Sequence, residues 1–186
     1  MPGDSLIDQF LIAMPNLADT TFAQTVTYIW EHTDDGAFGI VINRPLQMRL
    51  GEVFEQLKMP QPATDLSRQS VLQGGPVQTD RGFVVHHSGG HWEHTRQISP
   101  RIQVTTSPDI LDAMARGAGP QTALVALGYA GWVAGQLEEE LAQNAWLTVP
   151  ADERIIFDTP FERRWLAAGR LLGVDLATMS AQAGHA

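Results

Sequence analysis

The sequence predicts an α+β fold in a single domain, and three observations carry that prediction. Short apolar, β-favouring runs recur along the chain, and short segments with helical spacing lie between them. The two kinds do not alternate strictly, as they would in a doubly wound protein. With 186 residues, 44% of them hydrophobic, the chain can bury one core, so residues 1–186 are read as one unit.

Leu6 to Ala13 is mostly apolar, and Phe10 to Ala13 form a first strand that Pro15 ends. Asn16 to Thr20 reads as a turn. Thr25 to Trp30 alternates Val26, Tyr28 and Trp30 with Thr25, Thr27 and Ile29, and Ala37 to Ile42 is a second apolar run. The short polar link His32 to Gly36 joins them most economically as a β-hairpin. Asn43-Arg44-Pro45 then breaks the sheet, because proline offers no ladder hydrogen bond. Leu50, Val53, Phe54 and Leu57 fit a short helix ending near Pro60, and Gln61 to Ser67 reads as a surface loop.

Val71-Leu72 is a short strand running into the turn Gly74-Gly75-Pro76. Arg81 to His87 and Ile102 to Thr105 are further strands. Ser107-Pro108-Asp109 opens a helix with a capping hydroxyl, an N1 proline and an acid at the positive end of the dipole, and Gly117 closes it. Trp146 to Val149 is one more strand. Thr159-Pro160-Phe161-Glu162 supplies a capping box, after which Phe161, Trp165, Ala168 and Leu172 recur at helical spacing up to Gly173.

The stretch from Ala123 to Trp146 organises the rest. Leu124 to Leu127 suits a strand buried on both faces. Gly128, Gly131 and Gly135 then turn a tight corner. A helix follows, with Val133, Leu137 and Leu141 on one stripe and Glu138 to Glu140 largely off it.

Composition excludes several function classes. Lys and Arg number 12 against 21 Asp and Glu, and a formal charge of -9 repels polyanions, so direct nucleic-acid binding is not expected. The densest basic group, Arg163, Arg164 and Arg170, reads as a solvated helix face. The chain has no cysteine, which removes disulfides, thiolate nucleophiles and Cys-ligated metals together. No basic-then-apolar leader opens the chain, and glycines and polar residues dilute the uncharged stretch Gly117 to Leu137 too far for a membrane span. A cytoplasmic protein is the expectation.

Three constellations invite chemistry. His86, His87, His91 and His94 cluster near Glu93, but no metal-ligand spacing accompanies them and Gly89-Gly90 marks a loop, so no metal is expected. The glycines at 128 to 135 could present amides to an anion, yet they match no phosphate-binding pattern and Glu138 to Glu140 already complement the helix dipole. Asp80 with His86 suggests a triad, but no nucleophile motif locates the third member. Trp165 and Phe161 read as core, while Trp132 could anchor an interface.

Several blocks, in order, resemble one family: FLIAMPNL, TVTYIWEH with GAFGIVINRPL, LQGGPVQTDRGFVVH, TSPDIL, ALGYAGWVAGQLEEELAQNAWL and the closing AGHA. The chain resembles the bacterial YqgE/AlgH proteins nearly from end to end. The resemblance implies a bulged, coiled mixed β-sheet packed by several short helices. It also implies a role like that described for AlgH-type members, in the transcriptional control of exopolysaccharide production, with no reaction and no cofactor attached. Asn43, Arg44, Pro45, Gly74, Gly75, Pro76, Arg81, Gly82, His86, Gly128, Tyr129 and Gly135 fall in the matching blocks. His87, His91 and His94 do not fit that pattern.

The expected function is a regulatory or interaction module that acts indirectly and is not an enzyme. It would bind an unidentified protein partner or small ligand through a surface comprising Arg44, Gly74, Gly75, Arg81, His86, Gly128 and Tyr129. The alternative is a hydrolase-like enzyme using Arg81, His86 and Asp80 in a pocket beside the same turns. Convergence of Gly74, His86 and Gly128 is the geometric test of the shared surface.

Overall fold

The computed structural model describes residues 5–183, so the last three residues of the AGHA block lie outside the described part. Ten strands form one sheet: β1 (Gln9–Ala13), β2 (Val26–Thr33), β3 (Gly36–Val41), β4 (Pro45–Arg49), β5 (Ser70–Gln73), β6 (Val77–His87), β7 (Thr95–Gln97), β8 (Ile102–Thr105), β9 (Ala123–Val133) and β10 (Trp146–Pro150). Their order is β10-β1-β2-β3-β9-β6-β8-β7, with β4 and β5 attached beside β9. Among the described residues only β5 and β9 pair in parallel. Bulges in β2 and β6 add local twist, and the sheet curls. This is the α+β fold with a bulged, coiled mixed sheet that the sequence and its resemblance imply.

Seven short helices pack on the sheet: α1 (Leu50–Gln56), α2 (Thr64–Arg68), α3 (Asp109–Ala115), α4 (Gln136–Ala142), α5 (Glu153–Phe157), α6 (Arg164–Leu171) and α7 (Leu176–Ala183). β1 explains the layering. Phe10 and Ile12 enter the main core with Ile155, Ile156, Trp165, Ala168 and Leu176, while Leu11 and Ala13 pack with Trp132, Leu137 and Trp146. A strand buried on both faces reads as a continuous apolar run. A further cluster joins α1 and α3 through Leu50, Phe54, Ile110 and Met114.

The largest departure from the sequence reading lies in β9. The chain does not turn a corner at Gly128; β9 runs on to Val133, and α4 begins only at Gln136 after Gly135 in the left-handed region. Val133, expected on the helix stripe, is 72% exposed at the strand end. Gly128 instead changes the phase of the strand. Before it, Leu124 and Ala126 face the main core; after it, Tyr129 packs on that core, and Ala130 and Trp132 face the layer under α4. One residue at φ +79 thus inverts the alternation without ending the strand.

Other departures have equally local causes. Pro45 opens edge strand β4 instead of stopping the sheet, where its missing N–H costs no ladder bond. Residues expected in a loop form α2, and β7 and α5 arise where no strand or helix was foreseen. β2 extends to Thr33, and β6 starts at Val77, earlier than expected. Ser107 does not cap α3, because its hydroxyl donates to Asp109 at 2.5 Å and accepts from the His94 N–H at 3.0 Å. Thr159 forms no capping box; its hydroxyl donates to the Arg154 carbonyl at 2.9 Å, and a 3-10 turn, Phe161–Arg163, intervenes before α6. Leu172 is exposed, so the α6 stripe stops short of it.

Candidate functional site

The glycines singled out in the sequence do converge. β3 and β5 lie along the same edge of β9, and Gly74 stands where they part: its N–H donates to the Leu127 carbonyl and its carbonyl accepts from the Val41 N–H, both at 2.8 Å. A Cβ on Gly74 would lie 2.4 Å from the Gly128 oxygen, and one on Gly128 would lie 2.5 Å from the Gly75 oxygen. On Gly75 it would overlap the Tyr129 carbonyl carbon at 2.1 Å. Gly74, Gly75 and Gly128 are all buried. They are backbone packed on backbone, with no open cradle of amides.

His86 does not join them. It pairs with Ala123, five residues from Gly128 and roughly 16 Å away along the strand at about 3.3 Å per residue. Its ring is fully buried: Nδ1 contacts the His87 carbonyl at 2.8 Å and Nε2 the Thr105 hydroxyl at 2.7 Å. A carbonyl only accepts, so Nδ1 carries the proton and Nε2 accepts from Thr105. Burial pushes the imidazole pKa down, against the pull of the His87 carbonyl. The expected shared surface therefore fails at His86, and so does the notional pocket with Asp80 and Arg81. Those two sit on an exposed bulge, where residues 78–81 of β6 stand opposite Gly128 alone.

Arg81 has a different setting. Its guanidinium lies 5.3 Å from the centroid of Phe83, which meets Tyr129 edge-on; Phe38 and Trp30 continue the row across adjacent strands. Arg44 is turned inward on the carbonyls of Thr21 and Ala23. His91 and His94 are exposed, and His87 stacks edge-on against Phe157. Among the described residues no three His, Asp or Glu side chains gather as metal ligands. No helix among them is long and apolar enough to cross a membrane.

The residue that sequence reasoning missed is Arg164. Arg163 and Arg170 are exposed, but Arg164 is only 4% exposed, so the basic group is not one solvated face. Asp152 caps α5 by accepting from the Arg154 N–H, Asp158 ends it, and Pro160 with the following turn brings the chain back over the sheet. Arg164 then donates from Nε to the Thr159 carbonyl at 2.8 Å and from Nη1 to the Ile42 carbonyl at 2.7 Å, with its guanidinium 4.5 Å from the centroid of Phe161.

Nη2 makes no hydrogen bond among the described residues, and no carboxylate there pairs with this guanidinium. Burial pushes its pKa down to about 10, with Asp158 opposing, so it stays charged at neutral pH. Arg164 lines a cavity of about 400 Å³ between the β5 and β9 ends and α5, with Asp158, Phe157, Thr122 and Gln121 among its walls. A buried guanidinium facing a cavity with no carboxylate bonded to it is equipped to hold an anion. A signal was present in the sequence: 161, 164, 165 and 168 share one helical stripe, which places Arg164 on the inward side.

Comparison with known proteins agrees with this architecture. The AlgH-like family model matches residues 10–177. A UPF0301 protein of Saccharophagus degradans is 56% identical, covering 98% of this chain and 89% of that one. A UPF0301 protein of Pseudomonas aeruginosa is 54% identical over 95% of this chain and 94% of its own length. The solution structure of the AlgH protein from Pseudomonas aeruginosa superposes with a TM-score of 0.80 at 53% identity, each chain covered in full. A crystal structure of a Corynebacterium diphtheriae protein shares the fold at a TM-score of 0.74 and 19% identity, over 97% of this chain and 94% of that one. The chain belongs to the AlgH-like, UPF0301 family.

Proposed function

We propose that this chain is a non-catalytic regulatory module of the bacterial cytoplasm that binds a small anionic ligand against Arg164 and acts through a protein partner instead of reading DNA. The observation that carries the reading is the buried Arg164 guanidinium, with two donor groups bound to carbonyls and Nη2 unpartnered among the described residues, beside a cavity of about 400 Å³. Cavities of roughly 300–1,000 Å³ with a few placed polar groups are the usual form of small-molecule sites. The net charge of -9 supports the indirect mode, since it opposes association with nucleic acid.

The test is calorimetric titration of dialysed protein with acetate, succinate, benzoate and inorganic phosphate. Saturable binding of at least one monocarboxylate is expected, and it should disappear in Gln121→Trp, which places an indole in the cavity from an exposed position. Absence of binding by all four anions overturns the reading. Tight binding of random-sequence duplex DNA at moderate salt would overturn its indirect mode.

A further inference from the structure

We propose that the ligand of the Arg164 cavity is a zwitterion of the amino-acid type, its carboxylate on Arg164, its ammonium on Asp158 and an apolar side chain between them. This rests on the anion site described above and names its ligand class.

The cavity carries two opposite charges on one wall segment. Asp158 follows the last residue of α5 and lines the same space as Arg164, six residues further along the chain. Its side chain makes no ion pair among the described residues, so its carboxylate remains available to a donor from the cavity. Its charge favours the charged form of Arg164, yet the two form no salt bridge. The gap between them therefore offers an acceptor at one end and a donor at the other.

Ligand classes differ in how they meet that pair. A phosphate dianion gains Arg164 but meets repulsion from Asp158 and from the chain's net charge of -9. An amine gains Asp158 but leaves the buried guanidinium without a counter-ion. A molecule carrying both charges satisfies both groups and, being neutral overall, is not repelled from the cavity mouth. Beside the polar Gln69, Ser70, Gln121 and Thr122, the rings of Phe157 and Phe161 form the apolar part of the wall, since Leu72 and Ile156 are fully buried beneath it, and two rings favour an aromatic side chain.

The experiment compares L-phenylalanine and L-leucine with 3-phenylpropionate, which lacks the ammonium, and phenethylamine, which lacks the carboxylate, by calorimetry on the full chain. At least one amino acid should bind about tenfold or more tighter than either truncated analogue, the scale of one charge-assisted hydrogen bond. Asp158→Asn, an exposed substitution, should reduce amino-acid binding to the level of 3-phenylpropionate and leave the latter no weaker. Equal binding of 3-phenylpropionate and phenylalanine, unaffected by Asp158→Asn, overturns the zwitterion while leaving the anion site standing. Binding of phenethylamine alone, or of none of these probes and none of the simple carboxylates, overturns both.

Discussion

Gly128 and Gly135 share nearly the same left-handed torsion, φ +79 and +77, and differ in what surrounds them, so a matched pair of alanine substitutions separates strain from collision. An alanine at Gly135 has nothing within 4 Å of its Cβ. It bears about 1–2 kcal/mol of left-handed strain, partly offset by the lost freedom of the unfolded chain, for a net cost of about 1 kcal/mol. An alanine at Gly128 bears the same strain and places its Cβ 2.5 Å from the Gly75 oxygen, so the β5 turn must withdraw. That withdrawal weakens the bonds of Gly74 to Leu127 and Val41, each worth roughly 1 kcal/mol. The total approaches about 3 kcal/mol. For a chain of this size 1 kcal/mol corresponds to roughly 2–4 °C in Tm, so Gly135→Ala should lower Tm by about 2–4 °C and Gly128→Ala by about 6–12 °C. Urea and thermal unfolding of the two variants beside the parent provide the comparison. Equal losses would refute the close-approach account of the sheet fork and leave torsion as the only role of Gly128.

Three further outcomes follow from the buried polar groups. His86 is held neutral by burial, its folded pKa below the ordinary 6.5, so the unfolded chain takes up a proton first on acidification. Its contribution is intact above pH 6.5 and is lost as pH falls below it; urea midpoints between pH 8 and 5 should show this fall, and a fall undiminished in His86→Gln would refute the assignment. Glu140 accepts from Trp132 Nε1 at 3.1 Å and Trp146 Nε1 at 3.0 Å with one oxygen, so Glu140→Ala should cost about 2–4 kcal/mol, and Glu140→Gln clearly less. Tryptophan emission should shift in the alanine variant, and equal costs for the two substitutions would contradict the shared-acceptor geometry. Arg164→Lys cannot reach the Ile42 and Thr159 carbonyls as a planar fork, so it should lower stability by about 1–3 kcal/mol and raise the Kd for any bound carboxylate; an unchanged Kd would remove Arg164 from the site.

What was legible in the sequence followed from periodicity that needs no partner to interpret. The β2–β3 hairpin, with Thr33 opposite Gly36, and the first strand over Phe10 to Ala13 are local patterns, and both formed as expected. Gly128 was legible as a backbone requirement but not in its consequence, because a glycine that turns a corner and one that shifts a strand's phase look alike until the partner strand is placed. Only the four residues of β6 that stand opposite this one glycine tell them apart. Arg164 was hidden for a related reason. Composition grouped it with Arg163 and Arg170 as a charge run, and nothing near it in sequence reveals that Ile42, more than a hundred residues earlier, needs a donor.

The glycine fork and the Arg164 cavity arise on the two sides of one strand end, that of β3. Where β5 inserts beside β9, β3 can no longer follow β9, and Gly74 takes the last N–H of β3 at Val41. On the opposite side Ile42 donates to the Val26 carbonyl, but the Val26 N–H that would return the bond goes to Asn43 Oδ1 at 2.9 Å, so the Ile42 carbonyl loses its ladder partner, and buried carbonyls are seldom left alone. Arg164 supplies that donor from the opposite layer, which requires a full positive charge to be carried inside the molecule. A neutral side chain could have met one carbonyl without the desolvation that pushes Arg164 down to about 10. The guanidinium is more than that carbonyl needs, and the remaining donor beside the cavity is where a ligand's negative charge would recover that cost. By this reasoning Arg164→Gln, whose amide nitrogen stands where Nε does, keeps a donor for Thr159, leaves the Ile42 carbonyl unpaired and removes the charge. It should therefore fold with a Tm lowered by about 2–12 °C, the cost of one unpaired buried carbonyl at about 1–3 kcal/mol, while losing carboxylate binding altogether. A variant that folds and still binds carboxylate as the parent does would show that the guanidinium serves the two carbonyls alone.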